Sequence, residues 1–392
     1  MNLQEDFQNF KRRWLVNTQQ PVSFQVQYSS DIFNPKNHDL ASYGTSVRRI
    51  VVIDKTVNEL YGMQLKRYFF ALGEINVVLL EIDATEENKT WENVDTVLKF
   101  FEEHGVLRRS EPIIAIGGGV LLDLVGFCAS IYRRGIPYIK VPTTLLAIVD
   151  ASVGSKVAVN HLDRRNRIGG YYPPIVSLLD RRFIKTQSER EVVNGLAEIF
   201  KLALIKDAEL FTILEENAEQ LIEERFQYGA VPVRVINLAI TGMVDELAPN
   251  LWEKKLDRCV DFGHSFSPLI EMKNLPNLLH GEAVVLDCLF SSCIAFNRGF
   301  IDGATLSRIF STARLLKLPT YHPDFTDVQF LLSALRDTMK HRDGRQFLPV
   351  PISIGNYVII NDVTDAEVDK AATLFKELHE NSSHHRDQQG AG

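Results

Sequence analysis

Five short apolar runs between residues 48 and 180 constrain this chain's fold more than any other feature: "RRIVVID", "INVVLLEID", "EPIIAIGGG", "IPYIKVPTT" and "PIVSLLD". Amphipathic segments separate them, so the stretch reads as a mainly parallel sheet with covering helices. After residue 188 the pattern changes to long helical periods such as "EREVVNGLAEIFKLALI" and "ELFTILEENAEQLIEERF", with few strand-like runs. The chain therefore divides near residue 185 into an N-terminal α/β domain (1–185) and a helical C-terminal domain (186–380). Residues 1–20 read as a poorly packed extension. The polar end, 381–392, reads as a disordered tail in which His384 and His385 are solvated.

Two domains also suit the length of 392 residues. A net charge of −7 argues against a broad nucleic-acid surface, so an anionic ligand needs a local basic pocket. No apolar run approaches a membrane span, and the start, "MNLQEDFQNFKRRW", lacks the apolar core of a signal peptide. The expectation is a cytoplasmic chain with neither membrane nor nucleic-acid partner. Cys128, Cys259, Cys288 and Cys293 show neither disulfide-framework nor C-x-x-C spacing, which implies reduced, mostly buried thiols.

"PIIAIGGGVLLDLVGF" joins an apolar strand to a helix through Gly117, Gly118 and Gly119. Such a loop lets backbone N–H groups approach a pyrophosphate at a helix start; equally, the glycines could serve only a tight turn. Downstream, "VPTTLLAIVDASVGSKVAVN" places Thr143, Thr144, Asp150 and Lys156 in and just after a strand, at the edge where open α/β sheets bind ligands. Asp54 ends the first clear strand and suits a ribose; "EENKT" adds Glu87 and Lys89.

In "NGLAEIFKLAL", Glu198 and Lys201 share one face of a helix and interrupt an apolar stripe. With His264 of "DFGHSFSP" and His280 of "LLHGEAV", Glu198 would complete a Glu-His-His metal set with one open position. Each histidine alone reads more readily as a satisfied polar residue than as a ligand, and no local metal motif matches their spacing. Arg133, Arg134, Lys156, Arg164, Arg165, Arg167 and Lys201 concentrate positive charge that a phosphate-bearing substrate would explain, although some of it suits a solvated face.

Taken together, "IGGGVLLDLVGF", "YRRGI", "VPTTLLAIVDASVGSKVAVN", "NGLAEIFK", "DFGHS" and "HGEAV" resemble, in order over residues 50 to 350, the sugar phosphate cyclases, the family of dehydroquinate synthase. The resemblance implies an N-terminal Rossmann-like NAD-binding domain, a C-terminal helical metal-binding domain and an active site between them. It assigns Glu198, His264 and His280 to zinc or cobalt. Asp54, Glu87, Lys89, Gly118, Gly119, Asp123, Thr143, Thr144 and Thr186 go to NAD, with Asp150, Lys156 and Arg165 beside it. Lys156, Asn166 and Lys201 lie near substrate or cofactor phosphate by the same likeness, and Arg134 holds the substrate phosphate. Arg165 stands where the family often has lysine.

Dehydroquinate synthases usually carry asparagine at Asp261, histidine at Pro268 and a carboxylate-binding arginine at Asp257. The acids imply a pocket adapted to a substrate with hydroxyls in place of that carboxylate. Leu247, Asp261 and His341 as a set resemble the branch that converts sedoheptulose 7-phosphate to 2-epi-5-epi-valiolone, with Asp261 and His341 orienting ring hydroxyls. The implied route is transient oxidation by NAD at C5, phosphate elimination, re-reduction and an intramolecular aldol closure, in a homodimer. The alternatives are another cyclase (desmethyl-4-deoxygadusol, valiolone or 3-dehydroquinate), a metal-dependent polyol dehydrogenase, or a non-catalytic sugar-phosphate sensor.

Overall fold

The computed structural model describes residues 14–44, 48–73, 76–162 and 164–389. Its main sheet has six parallel strands in the order β1-β8-β5-β4-β2-β3: β1 Gln25–Tyr28, β2 Arg48–Asp54, β3 Asn76–Ile82, β4 Ile113–Gly117, β5 Tyr138–Pro142 and β8 Val176–Leu179. All five apolar runs become strands. Their continuous hydrophobicity has a direct cause, because the sheet is covered on both faces. Ile50, Val52, Ile113 and Ala115 pack toward helices α2 (Trp91–Glu103) and α3 (Gly119–Ile131). The alternate residues Val51, Ile53, Ile114 and Ile116 pack toward α1 (Lys55–Ala71) on the other face.

Two strand pairs lie outside that pattern. β6 (Lys156–His161) and β7 (Arg164–Tyr171) form an antiparallel hairpin, and β9 (Leu348–Ser353) and β10 (Asn356–Ile360) form another late in the chain. Between β5 and β6 the chain makes a π-helical turn, Ala147–Ala151. The buried Lys140 on β5 holds this turn, its Nζ donating to the carbonyls of Ala151 (2.7 Å) and Gly154 (2.9 Å).

From residue 189 onward the chain is mostly helical: α4 Glu189–Lys206, α5 Ala208–Glu223, α6 Val231–Leu247, α7 Ser267–Lys273, α8 His280–Asn297, α9 Gly303–Leu315, α10 Val328–Lys340 and α11 Asp365–Gln389. Helix α4 starts at Ser188, whose side chain accepts from the Glu191 N–H, and is buried without interruption from Val192 to Ile205. It packs against α8, which is buried almost as completely. Two helices apolar all round belong at the centre of a helical layer, and Glu198 and Lys201 lie within the buried run. Helix α11 continues to Gln389, past the point where composition suggests a disordered tail; no glycine or proline interrupts 365–389. Residues 1–13 and 390–392, parts of the expected extension and tail, lie outside the described residues.

Candidate active site

A cavity of about 740 Å³ opens between the C-terminal edge of the sheet and the helical layer. This is within the usual size of a ligand site, about 300–1,000 Å³. The sheet reverses its winding between β2 and β4, and the cavity lies at that switch point, where open α/β sheets bind ligands. Asp54 and the glycine loop sit at the two strand ends.

The glycines at 117–119 do not adopt left-handed backbone, so a tight turn does not explain them. Close approach explains Gly117: a Cβ there would stand 2.7 Å from Leu121 Cδ2 and 3.2 Å from Asp54 Cβ. Gly118, Gly119 and Val120 line the cavity at the start of α3, which no side chain caps. Uncapped N–H groups at a helix start suit an anionic group. Nearby, Thr143 Oγ1 is buried with no hydrogen-bond partner, whereas Thr144 Oγ1 caps the following turn by accepting from Ala147 N. The uncapped helix start and the unpartnered Thr143 hydroxyl fit a dinucleotide.

The other expected cofactor residues also reach this wall. Asp54 caps α1, accepting from Val57 N (3.1 Å), and also accepts from Ala84 N (3.3 Å). Glu87 lies in the adjoining 3-10 turn, and Thr186 lies across the mouth, 3.0 Å from the Tyr61 hydroxyl. Lys89 is 2% exposed, and its Nζ donates at 2.6 Å to both Asp123 Oδ2 and Asn166 Oδ1, joining the sheet to the β6–β7 hairpin. Asp150 faces the same space from the π-turn, where burial, with Glu198 adding to it, raises its carboxyl above the usual range.

Glu198, His264 and His280, far apart in sequence, converge until their ligand atoms all lie within 4.8 Å of one another. Gly263 makes the turn that delivers His264: its φ is +75°, and a Cβ would strike Cys288 Sγ at 2.7 Å. Past the histidine, the buried carboxylate of Asp287 accepts three successive backbone N–H groups, from Ser265, Phe266 and Ser267. His280 opens α8, and the neighbouring Gly281 N–H donates to Asn194 Oδ1 of α4 at 2.7 Å, which ties the two helix starts together.

Both imidazoles turn Nε2 toward Glu198 Oε1, at 3.9 Å for His264 and 3.2 Å for His280. That carboxylate oxygen is buried with no well-aligned hydrogen bond, its nearest donor candidate being His280 itself, while Oε2 is paired with Lys201. A buried acceptor left free calls for an explanation, and a divalent cation held by one carboxylate and two imidazoles supplies it. The electrostatics agree. Burial and Lys201 hold His264 well below the ordinary histidine range, hence neutral with a free lone pair. Burial opposes ionisation of Glu198, but Lys201 and the two histidines outweigh it and keep the carboxyl well below its usual range. At His280, burial and Arg165 favour the neutral ring, yet Glu271 and Glu198 raise it to about 8, so metal binding there displaces a proton.

Lys156, Leu247 and Asp261 form the far end of the cavity. The Lys156 side chain is 56% exposed because it faces the open cavity, yet protein surrounds it; burial and Arg258 lower its ammonium to about 8. It pairs with Glu253, which also meets Arg258. Asp261 is held on both sides, at 2.5 Å by Arg258 Nη2 and at 3.3 Å by Arg342 Nη2. Burial would raise its carboxyl, but Arg258 and Arg342 keep it below the usual value. Glu253, Arg258 and Arg342 escape a sequence reading because their pairing is purely tertiary.

Three of the expected residues lie outside the cavity lining of the single chain. Arg134 is exposed, in left-handed backbone after α3, and does not line the cavity. His341 also lies outside it: as the residue closing α10 it leaves the helix toward solvent, with Nε2 2.9 Å from Arg167 Nη1, while its neighbour Arg342 turns inward. Asp257 is exposed and away from the lining, so it does not set the cavity's charge; Asp261 does, balanced by two guanidinium groups.

Comparison with known proteins matches residues 79–194 to the family "3-dehydroquinate synthase N-terminal" and residues 195–341 to "3-dehydroquinate synthase C-terminal". The chain belongs to the dehydroquinate synthase family of sugar phosphate cyclases. Within this family it is 45% identical over 381 residues to a 2-epi-5-epi-valiolone synthase of Streptomyces albus, covering 95% of this chain and 92% of the relative. It is 34% identical to a demethyl-4-deoxygadusol synthase of Trichormus variabilis, covering 96% and 93% of the two chains. A solved cyclase, the 2-epi-5-epi-valiolone synthase ValA of Streptomyces hygroscopicus subsp. jinggangensis 5008 with NAD+ and Zn2+ bound, superimposes with a TM-score of 0.89 at 45% identity, covering 93% of this chain and 99% of that one.

Proposed function

We propose that this enzyme converts sedoheptulose 7-phosphate to 2-epi-5-epi-valiolone and inorganic phosphate, with NAD and a divalent metal, zinc or cobalt, as cofactors. One observation carries the reading: an uncapped helix start beside the glycine loop and the Glu198-His264-His280 cluster serve a single cavity, in a chain 45% identical to 2-epi-5-epi-valiolone synthases. When bound, NAD at the glycine loop would supply reversible hydride-transfer chemistry, and a metal held by Glu198, His264 and His280 would supply Lewis acidity.

The chain's own groups bind and orient. The cationic Lys156 and Lys201 hold the phosphate end, and Glu253 steadies Lys156 from behind. Asp261, fixed by Arg258 and Arg342, accepts a hydrogen bond from a ring hydroxyl, and Leu247 closes the wall next to Gly154. With C5 a ketone, the C6 proton passes to the departing phosphate as the C7–O bond breaks. After C5 is a hydroxyl again the ring opens, and the enol carbon C7 closes on the C2 carbonyl. The protein's contribution is to hold one conformer while charge moves.

Phosphate release tests the reading. The purified enzyme, given NAD and zinc or cobalt, is offered sedoheptulose 7-phosphate or the carboxylated precursor of dehydroquinate, and the product is identified by NMR. Release from the first, with no net NADH, is expected; release only from the second overturns the assignment, and net NADH points to a polyol dehydrogenase. The proposal includes a cytoplasmic homodimer, consistent with four free, buried cysteines. Light scattering showing the mass of one chain would remove that part. Among the described residues no helix is long and apolar enough to cross a membrane.

A further inference from the structure

Glu271 sits in α7, 1% exposed, behind the metal-compatible cluster. Its Oε2 lies 3.0 Å from His280 Nδ1 and 3.1 Å from Arg165 Nη1, while that same Arg165 nitrogen is 2.6 Å from His280 Nδ1. The ring nitrogen thus has two neighbours with opposite demands. A guanidinium can only donate, so pairing with it requires a bare Nδ1 and sends the ring hydrogen to Nε2. A carboxylate can only accept, so pairing with Glu271 keeps the hydrogen on Nδ1 and leaves the Nε2 lone pair facing Glu198 Oε1, 3.2 Å away. Only the second arrangement lets His280 bind a cation through Nε2. His264 shows the same logic with a simpler partner, its Nδ1 3.1 Å from the Phe262 carbonyl oxygen.

We propose that Glu271 is a positioning residue of the metal site: it accepts the Nδ1 hydrogen of His280, fixes the tautomer that presents Nε2, and offers the Arg165 guanidinium an acceptor other than the ring. Arg165 in turn neutralises a carboxylate that would otherwise be buried alone. This rests on the assignment of Glu198, His264 and His280 as metal ligands, not on the identity of the substrate.

The test is zinc affinity, measured by competition with a chromogenic chelator on the full-length protein, with thermal unfolding recorded alongside. Removing a carboxylate behind a ligating histidine typically weakens metal binding about 10- to 100-fold. Glu271→Ala is expected to lose affinity by that factor. Glu271→Gln, which keeps an acceptor oxygen, falls between it and the parent protein. Parent-like affinity in both variants overturns the role of Glu271 with the metal site intact, whereas failure of the parent protein to bind zinc overturns the metal site and this role with it. Should Glu271→Ala not fold, the glutamine variant decides together with ring-nitrogen NMR of the zinc-loaded parent protein. A hydrogen on Nδ1 of His280 supports the proposal, and a bare or metal-bound Nδ1 overturns it.

Discussion

The imidazoles of His264 and His280 lie with ring centroids 5.4 Å apart and tilted by 53°, close enough to share one cation but not stacked on each other. His264→Ala is therefore expected to abolish stoichiometric zinc binding and phosphate release while leaving the fold intact, as read by metal analysis and circular dichroism. Glu198→Ala should cost stability as well, about 3–5 kcal/mol, because it strands the buried Lys201 ammonium without its partner.

Asp287 governs the loop after His264. Replacing it by alanine strands three buried backbone N–H groups, and each stranded donor costs ~1–3 kcal/mol. Denaturant unfolding of Asp287→Ala should show a loss of at least about 3 kcal/mol. Zinc affinity should fall too, since the loop no longer holds His264 in place.

Lys156 makes the free enzyme sensitive to alkali. Its ammonium is lowered to about 8, so the cation proposed to meet the substrate phosphate is lost as pH rises through that value. The ratio kcat/KM should decline above about pH 8, mainly through KM, and Lys156→Met should lose this limb at a much lower overall rate. For stability the sign is opposite. The folded-state value lies below the unfolded one, so between about 8 and the ordinary lysine range the unfolded chain binds more protons, and this group adds stability as pH rises.

The glycine loop separates packing from ligand access. Gly117→Ala forces a Cβ to within 2.7 Å of Leu121 and should destabilise the fold by about 1–3 kcal/mol. At Gly119 the nearest atom would be 3.6 Å away. Gly119→Ala should therefore unfold like the parent protein and instead weaken NAD binding, measurable by fluorescence titration.

Hydrophobic runs made the central sheet readable because burial on two faces leaves an uninterrupted signature. Edge strand β1, "QVQY", has no such signature, half its residues being polar. β7, "RRNRIGGY", looks like a basic patch and pairs as a strand only through β6. The Glu198-His264-His280 cluster could be proposed from a family likeness but not from spacing, since helix packing alone brings its members together. Glu271 was invisible for a similar reason: nothing local distinguishes a buried acid from an exposed one in a short amphipathic helix. His341 and Arg342 show how finely orientation matters at a helix end, where adjacent residues point in opposite directions.

The β6–β7 hairpin extends the sheet half of the chain to α7, and through Arg165 places a guanidinium beside Glu271 and His280. The two halves are consequently not interchangeable cassettes. A hybrid of two cyclases spliced near residue 185 would take its arginine from one parent and its histidine from the other, and such a recombinant inherits a working metal pocket only if both parents agree on how that imidazole is held.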